Sequence, residues 1–283
     1  MTIPNELTER VFARNQKERE SLKQKHLVVV GAGSVGSALA LMAARAGVGR
    51  FTLIDVDTLA PENVARHFSD LGAIGRPKVE AVADLIRRVN PDAEVTAVAE
   101  DFRNMDRARI TLDADTLLVG ATDSFECQSL VNLLSLNTDT PALYVGCWGE
   151  ATMGEIFYVV PGKTPCFECY AGFRRESEEL SLRDPRKYTE LDFDQTKVPG
   201  QAGLWPNILI ICGFAFQVIL ALLGADERRS RELIDYSQTL FLANVGDFAS
   251  ELPLWAVTPG TVEKGCAICD PERLPELLVE VAS

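Results

Sequence analysis

A chain of 283 residues can hold one large α/β domain, or one domain with an elaborated second half. Its 47% hydrophobic content supports a sizeable core, and a net charge of −13 argues against a general nucleic-acid binder or a binder of anionic membranes. Seven cysteines, four of them in two Cys-x-x-Cys pairs, fit a reducing compartment where thiols bind metal before they pair. The first residues show no positive-then-apolar leader, so the expectation is a cytoplasmic protein.

In chain order, residues 1–26 are polar with scattered apolar positions (Leu7, Val11, Phe12) and read as an N-terminal helical extension outside the main sheet. The main domain, 27–283, opens on the β-branched run Leu27–Val30, followed by Gly31-Ala32-Gly33-Ser34-Val35-Gly36. This is Gly-x-Gly-x-x-Gly between a strand and a helix. Gly31 suits a tight turn, Gly33 a close backbone approach to a phosphate, and Gly36 helix-on-strand packing. Free N–H groups at the helix start then face an anion. A second strand, Arg50–Ile54, ends in Asp55, about 20 residues beyond the loop, where such folds place the acid that holds a ribose hydroxyl.

Residues 57–68 carry a mid-run proline and little periodicity, which predicts loop and short helical turns above the strand ends. A helix opens at Pro77-Lys78, keeps helical spacing through Val79, Val82, Leu85, Ile86 and Val89, and stops at Asn90-Pro91. Strands follow at 94–99, 115–123 and 142–146, with a helix from Ser124 to about Leu136. Strands alternating with helices predict a Rossmann-like, doubly wound, mostly parallel sheet. Ligands of such sheets bind at the carboxyl ends of the strands, where Gly31–Gly36, Asp55 and Asp123 converge.

The second half differs. A strand at 154–161 leads into Cys166-Phe167-Glu168-Cys169, and 170–206 reads as an exposed crossover segment. The run 208–223 is apolar on all faces but shorter than the roughly 20 residues of a membrane span, so it reads as a core or dimer-interface helix. A strand near Thr239–Ala243 and Cys266-Ala267-Ile268-Cys269 complete the pattern.

Each Cys-x-x-Cys puts two thiolates on one turn, and two such turns make the tetrahedral sulfur set zinc prefers. The 96 residues separating Cys169 from Cys266 exceed the spacing of a compact finger, so the metal would staple distant parts of one fold. Four sulfurs leave no open position, which implies a structural zinc; plain thiols or a redox pair are the alternatives. In the strand-end loops, Asn63, Arg66 and Lys78 lie beside the glycine loop, where the cations can neutralise a triphosphate. Asp123 can hold magnesium or, more modestly, cap the helix that starts at Ser124.

The ordered set Gly-x-Gly-x-x-Gly, Ile-Asp-x-Asp, Asn-x-x-Arg, Gly-x-Pro-Lys-Val-Glu, Ala-Thr-Asp and two Cys-x-x-Cys resembles the ThiF/MoeB/HesA family, the adenylating domains related to ubiquitin-activating enzymes. The resemblance runs from about Leu27 to Cys269 and implies ATP-dependent adenylation of a carboxylate, usually the C-terminal Gly-Gly of a ubiquitin-like or sulfur-carrier protein. It implies a nucleotide site of Gly31, Gly33, Ser34, Gly36, Asp55, Asp57, Asn63, Arg66, Lys78 and Asp123. In that site Asp55 meets the ribose, Asn63, Arg66 and Lys78 meet the phosphates, and Asp123 holds Mg2+. It also implies zinc on Cys166, Cys169, Cys266 and Cys269, a homodimer that uses the 208–223 helix, and a separate conjugating enzyme or sulfur donor downstream. Two departures stand out. Many relatives carry a nucleophilic cysteine in the crossover, and this chain has none between Cys169 and Cys212. Relatives also carry an N-terminal Arg-Tyr-x-Arg-Gln whose arginine reaches the partner's site; the nearest match here is Arg10–Gln16, with Arg14 as the candidate. An NAD-dependent oxidoreductase fits the glycine loop and Asp55 equally well, and a non-catalytic scaffold of the same family is the third reading.

Overall fold

The computed structural model describes residues 10–148, 151–169, 203–225, 239–243, 254–257, 266 and 268–270. Among these residues the sheet holds eight strands: β1 (His26–Val30), β2 (Arg50–Ile54), β3 (Glu94–Val98), β4 (Thr116–Gly120), β5 (Ala142–Trp148), β6 (Met153–Val159), β7 (Thr239–Ala243) and β8 (Leu254–Val257). Their order is β3-β2-β1-β4-β5-β6-β7-β8. The first five are parallel, and β6, β7 and β8 add on antiparallel. The helices are α1 (Gln16–Leu22), α2 (Ser34–Ala46), α3 (Lys78–Val89), α4 (Phe125–Asn137) and α5 (Trp205–Leu222).

β1 and β4 sit centrally and are buried at every position, as continuous apolar strands covered on both faces must be. Side-chain alternation divides the core. Leu27 and Val29 join α2, α3 and α5 in one cluster. Val28 and Val30 face the other cluster, built from α4 and the buried Phe102, Met105 and Ile110. In that second layer the connection from β3 to β4 carries only a 3-10 turn, Arg107–Arg109. Its sequence is rich in turn-forming acids: Asp101 accepts the Arg103 N–H and Asp113 the Asp115 N–H. Three apolar side chains cover the sheet where a helix would otherwise lie.

Helix ends follow local chemistry. α2 stops at Gly47, whose φ of 102° only glycine adopts cheaply and whose N–H bonds the Ala43 and Ala44 carbonyls. α4 is capped by Ser124, whose hydroxyl accepts the Cys127 N–H. Asp123 is therefore not the cap, and its carboxylate remains for other work. α5 begins at Trp205, earlier than the expected 208, so the last residues assigned to the 170–206 crossover are helical; 170–202 lie outside the described residues. By length and composition α5 could cross a membrane. It instead packs Ile208, Ile211, Cys212, Ala215, Val218 and Ile219 into the α2 cluster and leaves Ile210 and Phe214 exposed. Among the described residues β8 is a strand that the apolar pattern did not signal.

The extension is not independent of the core. Phe12 and Leu22 are buried, Arg19 lies over the Phe12 ring, and Asn15 donates to the Arg45 and Ala46 carbonyls.

Candidate functional site

The carboxyl ends of β1, β2 and β4 meet at one short segment, Gly31-Ala32-Gly33. Gly31 has φ 96°, and a Cβ there would sit 2.4 Å from the Ala121 carbonyl oxygen, so the loop after β4 presses directly on it. A Cβ on Gly36 would fall 1.8 Å from the Gly31 oxygen, which is why the helix can follow the turn so closely. Gly33, the residue preceding α2, differs: nothing lies within 4 Å of where its Cβ would be. The backbone there borders open space at a helix N-terminus, the form a phosphate-binding cradle takes.

Asp55, one residue past β2, accepts the Ala32 N–H on Oδ2 (2.7 Å) and the Asp57 N–H on Oδ1 (2.8 Å). Burial pushes its carboxyl above the usual carboxylate range, against the Asp57 N–H bond and the Lys78 charge, which pull it down. A carboxylate offers about four acceptor positions, so two remain for a hydroxyl ligand. Asp57 turns toward Lys78, with Oδ2 2.7 Å from Nζ, and its carbonyl accepts the Lys78 N–H. Lys78 thus stands at the start of α3, fixed to the β2 end by backbone and side chain together.

The turn Pro61–Arg66 closes with Asn63, whose Oδ1 accepts the Ala60 N–H at 3.0 Å. The Asn63 amide NH2 is the half that a ligand can use. Arg66 is half-buried at the end of this turn. The next residue, His67, is buried and bonds the Ala32 carbonyl at 2.8 Å. Asp123 lies two residues beyond Ala121, exposed, and among the described residues it makes no hydrogen bond or ion pair. The glycine loop, Asp55, Asp57, Asn63, Lys78 and Asp123 therefore share one end of the sheet.

Arg14 does not. Its neighbour Asn15 holds the last carbonyls of α2, a 13-residue helix and so about 20 Å from its glycine-loop end. An arginine there is out of reach of the glycine loop of its own chain.

The four-cysteine cluster forms as spaced. Cys166 and Cys169 Sγ are 3.9 Å apart, Cys166 and Cys266 3.9 Å, and Cys169 and Cys269 3.5 Å, with all four within 4.8 Å. A tetrahedral zinc with bonds of about 2.3 Å requires sulfur separations of about 3.8 Å. The donor set fits zinc, and no ligand position remains open. The knuckle is seated on α4: Glu168 accepts the Ser129 hydroxyl at 2.6 Å, and Asn132 Oδ1 accepts the Phe167 N–H.

A family model described as the ThiF family matches residues 8–246. The chain belongs to the ThiF family. Curated relatives of this ThiF-family chain include the sulfur carrier protein ThiS adenylyltransferase of Bacillus subtilis, 34% identical over 154 residues, which are 53% of this chain and 45% of that protein. Ubiquitin-like modifier-activating enzyme 5 of Caenorhabditis elegans is 32% identical over 162 residues, 54% of this chain and 39% of its own length. The chain thus spans less than half of these relatives. Among solved structures, E. coli MccB with ATP aligns at TM-score 0.68 and 18% identity, covering 94% of this chain and 75% of that one. PaaA aligns at TM-score 0.66 and 21% identity, over 91% and 84%. These likenesses bear on the fold.

His67 joins this group of site residues although no motif marks it. Its position directly after Asn-x-x-Arg was the available signal, but a ring that acts on a backbone carbonyl leaves no mark in the spacing.

Proposed function

We propose that the protein adenylates a carboxylate with ATP, releasing pyrophosphate, and that the carboxylate is the C-terminus of a ubiquitin-like or sulfur-carrier protein ending in Gly-Gly. The observation that carries this reading is the convergence on Ala32 and Gly33: an open helix N-terminus, an acid at the β2 end, a lysine held beside it, and Asp123 across the loop. Gly31, Gly33, Ser34 and Gly36 would cradle phosphate, and Asp55 would take the ribose. Asn63 would donate its amide to the phosphates, while Arg66 and Lys78 would neutralise the triphosphate as charge builds during attack of the carboxylate oxygen on the α-phosphorus. Asp123 would hold an Mg2+ ion, which would supply positive charge against the phosphates. The names of the relatives, an adenylyltransferase and an activating enzyme, support the same chemistry.

Zinc on Cys166, Cys169, Cys266 and Cys269 would serve structure alone. A homodimer completes the reading: exposed Ile210 and Phe214 on α5 suit an apolar interface, and Arg14 would enter the partner's site. The reading keeps the cytoplasmic setting, with a conjugating enzyme or sulfur donor acting downstream.

The dehydrogenase alternative lacks a catalytic histidine. The chain has His26 and His67 only, and both are buried. His26 bonds Thr52 and is pushed down to about 4, chiefly by burial.

Activation would stop at the acyl-adenylate and pass directly to an outside nucleophile. Cys127 and Cys212 are buried, burial alone pushes the Cys147 thiol up to about 11, and burial raises Cys212 further. A thiol held protonated and enclosed is a poor nucleophile. The test is ATP–pyrophosphate exchange with candidate Gly-Gly carriers and short peptides, followed by a non-reducing gel. Exchange without a reductant-sensitive carrier–enzyme band is the expected result. NAD binding without exchange would sink the proposal, and a band lost on replacing Cys127, Cys147 or Cys212 would sink the direct-transfer part.

A further inference from the structure

Ala32 is clamped from two sides. Its N–H goes to Asp55 Oδ2 and its carbonyl receives the His67 ring, while Ala32 itself is 1% exposed. The ring's two bonds determine its state. Ser69 N–H can only donate, and it does so to His67 Nδ1 at 3.0 Å. A carbonyl can only accept, so Nε2 must carry the hydrogen that reaches Ala32. His67 is therefore a neutral imidazole in the Nε2–H tautomer. Burial lowers its pKa most; the Ala32 bond and Asp55 act the other way, and Lys78 reinforces burial. Sequence neighbours give the contact its meaning. His67 immediately follows Arg66, and Ala32 immediately precedes Gly33, the one glycine of the loop whose Cβ position is open.

Resting on the nucleotide reading above, we infer that His67 is a positioning residue that locks the arginine-bearing turn Pro61–Arg66 to the glycine loop through the Ala32 carbonyl. Phe68, next in the chain, extends the link by packing edge-on against Trp205 at the start of α5, with ring centroids 5.0 Å apart. Without the ring hydrogen, a buried carbonyl loses its partner and the two halves of the anion site drift independently.

His67→Leu keeps the volume and removes the donor. His67→Gln places an amide nitrogen where Nε2 was and keeps the donor, but offers Ser69 no Nδ1. In hydrogen exchange on the full chain without nucleotide, the Ser69 amide should speed up in both variants. The hydrogen-bonded amides of Gly31, Ala32 and Ser37 should exchange roughly five- to tenfold faster in His67→Leu only, the range expected for one hydrogen bond. In ATP–pyrophosphate exchange, His67→Leu should raise the KM for ATP about tenfold with little change in kcat, and His67→Gln should recover most of it. Loop exchange unchanged in His67→Leu overturns the inference whether or not the wild type turns over ATP. Equal loss in both variants reduces the ring to a packing role and also overturns it. A wild type that shows no ATP exchange counts against the proposed activity alone, and the hydrogen-exchange arm still decides the tether.

Discussion

The glycine-loop end of the sheet and the four-cysteine cluster are assembled by opposite means. The first is bound up by backbone groups: Ala32, Asp57 and Ala60 N–H each find a side-chain acceptor within the segment Gly31–Lys78, and the Gly31 N–H bonds the Ile54 carbonyl. It needs nothing foreign to hold its shape. The second joins Cys166 and Cys169 to sulfurs 100 positions away, with thiols that would repel once ionised. On the proposed reading the first would be preorganised for a ligand that comes and goes, and the second would use its ligand to hold two parts of the chain together.

The sharpest way to separate them is to compare activity loss with stability loss. Asp123→Ala should reduce carrier-dependent ATP–pyrophosphate exchange to background while leaving the melting temperature unchanged, because its carboxylate makes no hydrogen bond or ion pair among the described residues. Arg66→Ala and Lys78→Ala should each lose at least roughly 100-fold in exchange. The Lys78–Asp57 pair adds little stability, with the Asp57 side chain 61% exposed, so a large fall in melting temperature for Lys78→Ala would contradict this division.

The cysteines should behave in reverse. Purified protein should hold about one zinc per chain. Replacing any of Cys166, Cys169, Cys266 or Cys269 should lower the melting temperature by about 10 °C or more, while exchange per folded molecule falls less than roughly tenfold. Absence of zinc together with a normal melting temperature in Cys269→Ala would refute the staple.

Two glycines divide the loop itself. Gly31→Ala meets a carbonyl oxygen and a strained φ, so it should cost about 2–3 kcal/mol in denaturant unfolding. Gly33→Ala enters open space and should cost under about 1 kcal/mol, yet weaken ATP binding about tenfold by occupying the cradle. Calorimetry with ATP on both variants checks the split; equal affinity for wild type and Gly33→Ala would remove Gly33 from the site.

A separate effect is set by pH. His26 titrates near 4 in the fold against 6.5 when unfolded. Between those values the unfolded chain binds a proton that the folded chain refuses, so stability present above pH 6.5 is lost as pH falls toward 4. The loss from His26 is on the order of 3 kcal/mol at most, and His67, lowered by burial, adds in the same direction. Asp55, raised by burial, opposes this only near the acid end. Melting temperatures that stay flat from pH 7 to 4.5 would contradict the neutral, buried histidines.

By itself the sequence determined the strand–loop–helix at Gly31–Gly36, the acid after β2, the helix opened by Lys78 and the thiol pairs. Each of these is local: β-branched runs, glycines at turn positions and Cys-x-x-Cys spacing state their conformation within a dozen residues. What local pattern did not hold, only the tertiary structure decided. The antiparallel β6–β8 extension depends on partners far along the chain, and β8 carries no alternation to announce it. The β3–β4 connection has the length of a helix and lacks the periodicity of one, so three buried apolar side chains do that work. Asp123 stands outside the helix cap because Ser124 takes that place, a choice made by hydroxyl geometry. The site's inner order, with Asp57 turned to Lys78 and His67 on Ala32, arises where strand ends converge. Those contacts join residues that share space and no sequence period, so folding had to bring them together before their roles could be read.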